Sequence, residues 1–172
     1  MGDAAGDDMT TLAVQLASTD VGQRAAAAER LAQAGETAAP AAVALVTACG
    51  DADERIREWA VAALEELGPP PVEAVGPLVT LARNADPLTA YWAVTLLGRS
   101  GKDAAAAAKV LADCLDASVD LAVRQRAAWA IAQIGPAAAA ARPAVERAAT
   151  ADDPRLARLA VEAVAALDGK GA

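Results

Sequence analysis

The chain has 172 residues, of which 55% are hydrophobic and none is Phe, and it carries a formal charge of −8, so one domain of ordinary size with an Ala-rich core is expected. The acidic balance argues against a nucleic-acid or anionic-membrane partner, because the phosphate backbone is held by clustered Lys and Arg. The absence of His removes the usual neutral-pH acid–base group and the commonest metal ligand, and two cysteines, Cys49 and Cys114, make no CxxC-type site, so no catalytic residue, cofactor or metal is expected.

At the N-terminus, MGDAAGDDM is acidic and has no basic segment followed by an apolar one; it reads as a disordered tail over 1–7, not a secretory signal. No run of about 18 apolar residues free of charge, Pro and Gly follows, and the expected location is the cytoplasm. A helix over 8–18 precedes Asp20. Asp then recurs at Asp20, Asp53, Asp86, Asp120 and Asp153, at spacings of 33, 33, 34 and 33. Fifteen residues after the first four stand Gly35, Gly68, Gly101 and Gly135; the fifth copy has Asp168 there and Gly169 next. Ala holds the seventh position after each Asp, as Ala27, Ala60, Ala93, Ala127 and Ala160. Three registers in phase over five copies mark an internal repeat.

Each Asp is expected to cap a helix, accepting from the first free N–H groups and complementing the helix dipole. Pro87 and Pro154 follow directly, where a missing N–H costs nothing. Each Gly is expected just past the helix end, in the left-handed conformation that stops it. Between them lies helix B, of about 14 residues, roughly 21 Å long. Its inward stripe in the second copy is Ile56, Ala60, Leu64 and Leu67, and in the fourth Val123, Ala127, Ile131 and Ile134. A second helix, A, runs from each Gly toward the next Asp and carries Leu45, Leu78, Leu111 or Val145. Pro69, Pro70, Pro71 and Pro136 sit at the hand-over between repeats, while Pro40, Pro77 and Pro143 should kink helix A or delay its start.

One helix pair cannot bury such a stripe alone, so neighbours must stack. The expected architecture is all-α, a right-handed α-solenoid of about five helical hairpins. It would cover 8–169, with repeats near 8–35, 36–68, 69–101, 102–135 and 136–169 and a short tail at 170–172.

The block Asp53, Ile56, Arg57, Ala60, Leu64, Leu67, Gly68 and its counterpart Asp120, Val123, Arg124, Ala127, Ile131, Ile134, Gly135 resembles the HEAT repeat, particularly the short bacterial form of phycobilisome-lyase-like proteins. Arg24 keeps the family's arginine in the first copy, whereas Ala90 and Ala157 replace it in the third and fifth. The resemblance implies the αα-superhelix, and it implies scaffold and adaptor roles more often than catalysis. HEAT-repeat deoxyhypusine hydroxylases hold iron through His-Glu pairs, which a chain without His lacks. HEAT-like DNA glycosylases work on a basic groove, against the acidic balance here, and no motif identifies a bilin-lyase subunit.

In solenoids of this kind the B helices line the concave side. All four aromatic residues fall on B helices: Trp59, Tyr91, Trp92 and Trp129. Trp59 and Trp92 share the sixth position after their Asp, at the edge of the buried stripe, and Trp129 at the ninth is expected to point further out. Arg99, Arg126, Arg155 and Arg158 share the outward arc toward the C-terminal end, with Glu29, Glu58 and Glu66 toward the other. This is the expected binding face for a protein or peptide, with the aromatics as anchors and Arg126, Arg155 and Arg158 favouring acidic groups. The plainer reading makes the indoles filler for an Ala-thin core. Arg24, Arg57 and Arg124 read as structural, bonding caps or carbonyls, and Cys49 and Cys114 as free and buried. Alternative readings are a lyase-like enzyme subunit, a glycosylase, or a purely structural or engineered array.

Overall fold

The computed structural model describes residues 4–118 and 120–170. Among them are ten α-helices and no strand, and no helix is long and apolar enough to cross a membrane. The chain forms two compact units, dividing between Ala74 and Val75.

The first unit holds α1 (Ala4–Gln15), α2 (Val21–Gln33), α3 (Ala42–Ala48) and α4 (Glu54–Glu66). Helix α1 takes in residues 4–7, assigned above to a tail, while residues 1–3 lie outside the described residues. Helix α2 packs against α4, and α3 backs α4, around a core that includes Leu12, Leu31, Leu45, Ile56 and Leu64.

The second unit holds α5 (Val75–Leu81), α6 (Pro87–Arg99), α7 (Ala108–Ala117), α8 (Leu121–Ile134), α9 (Arg142–Ala148) and α10 (Pro154–Leu167). The B helices α6, α8 and α10 form one layer, each packed on the next, and the A helices α7 and α9 pack together in the other.

All five repeat Asp residues cap their helices. Each has extended backbone, and the carboxylates of Asp20, Asp53, Asp86, Asp120 and Asp153 accept from the backbone N–H of Gln23, Arg55, Thr89, Val123 and Leu156. The glycines follow the expected rule with one exception. Gly35, Gly101, Gly135 and Gly169 have φ of 56°, 55°, 67° and 71°, but Gly68 is not left-handed. Pro69 explains the difference: its ring biases the preceding residue to extended backbone, and α4 ends at an already extended Leu67 (φ −74°, ψ 126°).

Helix A is entered through 3₁₀ segments at Gly35–Ala41, Val72–Ala74, Gly101–Ala107 and Gly135–Ala141. Proline is not the general cause. Ala104 (φ −91°, ψ 22°) and Ala138 (φ −93°, ψ 21°) break the helix identically, yet 101–107 contains no Pro. The 3₁₀ entry is a property of the repeat: Pro40 lies within it, and Pro143 lies just after it in the first turn of α9.

The stripe residues Ile56, Ala60, Leu64, Leu67, Val123, Ala127, Ile131 and Ile134 are all buried. Arg57 donates to the carbonyls of Asp51 (2.8 Å) and Ala52 (3.0 Å), and Arg124 to that of Leu115 (2.9 Å). Arg24 donates to the Ser18 carbonyl (3.0 Å) and pairs with Asp51 at 2.7 Å. These arginines stitch inter-helix loops. Cys49 and Cys114 are both buried and form no disulfide with each other. The Cys114 thiol donates to the Ala82 carbonyl at 3.3 Å, and burial pushes its pKa up to about 11.

Candidate binding site

The site in the second unit begins with a missing side chain. Gly98, near the end of α6, occupies a position held elsewhere by Ala32, Glu65, Ala132 and Ala165. A Cβ there would lie 2.5 Å from the Trp129 ring and 3.0 Å from the Ala130 Cα. Gly98 is therefore the notch that lets α8 approach α6 with an indole laid across the contact. Trp129 is half-buried by it, more open than Trp92 and less open than Trp59, where its register suggested that it points further out than both.

Arg126, one turn before Trp129 on α8, lies between two rings. Its guanidinium carbon is 4.7 Å from the Tyr91 ring centroid and 4.9 Å from that of Trp129, and it donates to the Tyr91 hydroxyl. Each half-exposed cation–π contact of this kind is worth about 0.5–1 kcal/mol and removes rotamer freedom from a long side chain. Tyr91 meets Trp92 edge-on at 5.7 Å, and Arg99 lies 5.8 Å over the Trp92 ring. Burial lowers the Arg99 pKa first, and the neighbouring Arg126 charge lowers it further. The stack thus holds two arginine side chains near enough to act on each other.

Beside this stack is a cleft of about 130 Å³ lined by Tyr91, Ala122, Gln125, Arg126, Trp129, Arg155 and Leu159. The lining contains two arginines, two aromatic rings and no carboxylate. Gln125 donates to the Asp153 carboxylate at 2.9 Å, tying the α8 wall to the cap of α10 and setting Arg155 at the mouth. The volume is below the roughly 300–1,000 Å³ of ordinary small-molecule sites and suits one side chain or one anionic group.

The structure thus brings together Tyr91, Trp92, Arg99, Arg126, Trp129 and Arg155. Trp92 is only 7% exposed and supports the cluster from below, so it offers no contact surface. Arg158 stands outside the cleft, paired with Glu162 at 2.8 Å. Trp59 belongs to the other unit, where it is 38% exposed on α4 beside the exposed Glu58. Sequence reasoning missed Ala122, Gln125 and Leu159 as lining residues and missed Gly98 as their organiser. The signal available was Gly98 itself, the one glycine at its repeat position.

Solved structures similar to the chain are helical repeat proteins. The complex of CpcE and CpcF of phycocyanin lyase from Nostoc sp. PCC7120 matches with a TM-score of 0.65 at 24% identity, covering 94% of this chain and 65% of that one. Computationally designed armadillo repeat proteins for modular peptide recognition match with a TM-score of 0.63 at 20% identity, covering 94% and 87%. A designed armadillo repeat protein in complex with the peptide (KR)4 matches with a TM-score of 0.51 at 18% identity, covering 93% and 99%. No curated protein matches the chain. These likenesses carry the fold, an all-α helical-repeat solenoid. The family model for HEAT repeats matches residues 42–130, just over half of the chain and the stretch that runs from α3 to the Trp129 turn of α8. With its capped B helices, 3₁₀-entered A helices and repeat-spaced glycines, the chain belongs to the HEAT-repeat family.

Proposed function

We propose that the chain is a non-enzymatic interaction module whose B helices bind a protein or peptide along the face expected to be concave. The observation that carries this reading is the cleft beside α8, where a twice-stacked Arg126, Arg155 and the Trp129 ring meet without a carboxylate. Pre-ordered arginines and an aromatic wall are the residue types that dominate interface energetics, and Arg126 has already lost the rotamer freedom that binding would otherwise remove. The sign of the site selects an acidic group, the reverse of the basic (KR)4 peptide held by the designed armadillo protein. The small volume selects a single carboxylate-bearing side chain with an apolar neighbour resting on Leu159. The fold supports the same reading, since designed proteins of similar architecture serve modular peptide recognition.

The test is a fluorescence-anisotropy screen of labelled peptides rich in Asp and Glu against charge-reversed controls. Acidic peptides are expected to bind, more weakly as salt rises, because exposed charge pairs are screened. Trp129→Ala and Arg126→Ala are each expected to weaken binding by about tenfold or more, and Trp59→Ala tests the exposed indole of α4 separately. Binding that ignores peptide charge, or that survives both substitutions unchanged, overturns the assignment of this cleft.

A further inference from the structure

The repeat register identifies which face of a B helix meets the next repeat. On α6 the twelfth position, Gly98, abuts Trp129 and Ala130 of α8, and the fifth, Tyr91, bonds Arg126. On α8 the fifth position, Gln125, bonds Asp153 at the start of α10. The eighth and eleventh positions on that side are apolar and fully buried: Val94 and Leu97 on α6, Ala128 and Ile131 on α8. Helix α10 repeats the same chemistry with Val161, Val164 and Ala165, yet Val161 is 57% exposed. Together with Glu146, Ala149 and Asp168 these residues line an open depression of about 380 Å³.

We propose that this face of α10 is the contact of a two-fold homodimer in which α10 packs antiparallel on α10 of a second copy. Charge and symmetry name the occupant. Along the face lie Arg158, Val161, Ala165 and Asp168, with opposite charges at the two ends and apolar residues between. Arg158 and Asp168 are equidistant from Ala163, as are Val161 and Ala165. A two-fold axis crossing the exposed face at the height of Ala163, whose own side chain is buried, therefore sets Val161 against Ala165 of the other copy and Arg158 against its Asp168, twice each. Self-complementarity of this kind is what an isologous interface requires. Head-to-tail stacking lacks a matching partner face, because the ninth and tenth positions of α2 are exposed Glu29 and Arg30, the latter paired with Asp8 at 3.1 Å. Arg158 now pairs with Glu162, and Asp168 with Arg142 and Lys170, in exposed or half-exposed ion pairs of small net worth, so re-pairing across the dimer costs little.

Sedimentation velocity of the full chain, from micromolar to millimolar concentration, tests this. A concentration-dependent doubling of mass is expected, with a weak constant, since one helix pair and its flanks make an interface near the low end of the stable range. Val161→Asp is expected to leave the chain monomeric throughout with unchanged circular dichroism. Arg158→Asp should weaken the dimer by about tenfold, and Arg158→Asp combined with Asp168→Arg should restore it. A wild-type chain that stays monomeric over the whole range, or a dimer unaffected by Val161→Asp, overturns the proposal. Failure of the double exchange to restore what Arg158→Asp loses overturns the antiparallel register. Trp129→Ala should leave self-association intact, which separates this face from the cleft of α8.

Discussion

At the scale of single residues, the most consequential is a glycine. Gly98 is buried in the last turn of α6, where Ala would ordinarily be better by up to about 1 kcal/mol. The contact it permits reverses that preference, because a Cβ would meet the Trp129 ring at 2.5 Å and the Ala130 backbone at 3.0 Å. The ring can turn; the backbone cannot without moving α8. Overpacking of this kind costs about 1–3 kcal/mol. Gly98→Ala should therefore destabilise by up to about 2 kcal/mol after the propensity gain is subtracted. Urea melts should show Gly98→Ala less stable than the parent chain, and its indole emission should shift.

At the scale of elements, the caps and inter-helix ion pairs set the response to pH. Asp51 is held below the usual carboxylate range by the Arg24 guanidinium, Asp53 by Arg55, and Asp168 by Arg142. Asp153 is held down first by the Leu156 N–H and then by Gln125. A carboxylate whose folded pKa is depressed contributes stability above its unfolded value, 3.8 here, and loses it as pH falls toward the folded value. There is no His to add a titration near neutrality. Urea midpoints are therefore expected to stay level from about pH 5 to 8 and to drop below about pH 4. Asp153→Ala should remove part of that acid sensitivity along with about 1 kcal/mol of capping.

The same elements show how much of the fold was legible. Asp caps, repeat-spaced glycines and the inward stripe read directly, because each reports a local backbone demand or a helical period. Gly68 misled because the following Pro69 imposes extended backbone, overriding what Gly would otherwise do. The candidate site was legible in composition and not in geometry. Trp59 and Trp92 share one register, but Trp92 has Tyr91 beside it and Arg99 two turns on, while Trp59 has Glu58 and Glu66 there. Arg99 lies over the Trp92 ring, which is 7% exposed, while Trp59 is 38% exposed. Periodicity gives the angle of a side chain and says nothing of which neighbour will cover it.

At the scale of the whole molecule, the division between Ala74 and Val75 separates two cores that are each built from complete helices. In a repeat array stability is close to a sum of repeat and nearest-neighbour terms, so a segment with its own stacked B helices can persist alone. The second unit has three of them, α6, α8 and α10, and its buried set includes Leu78, Leu96, Leu97, Leu111, Leu115 and Ile131. The fragment 75–172 is expected to keep its helical circular dichroism and to melt cooperatively. It also carries Trp92 and Trp129 and lacks the exposed Trp59. Acrylamide quenching should therefore resolve an accessible indole class in the full chain that disappears both in the fragment and in Trp59→Phe, while the protected class survives. A fragment that is unfolded, or one that keeps the accessible class, would show that the core of this unit or the burial of its indoles depends on residues before Val75.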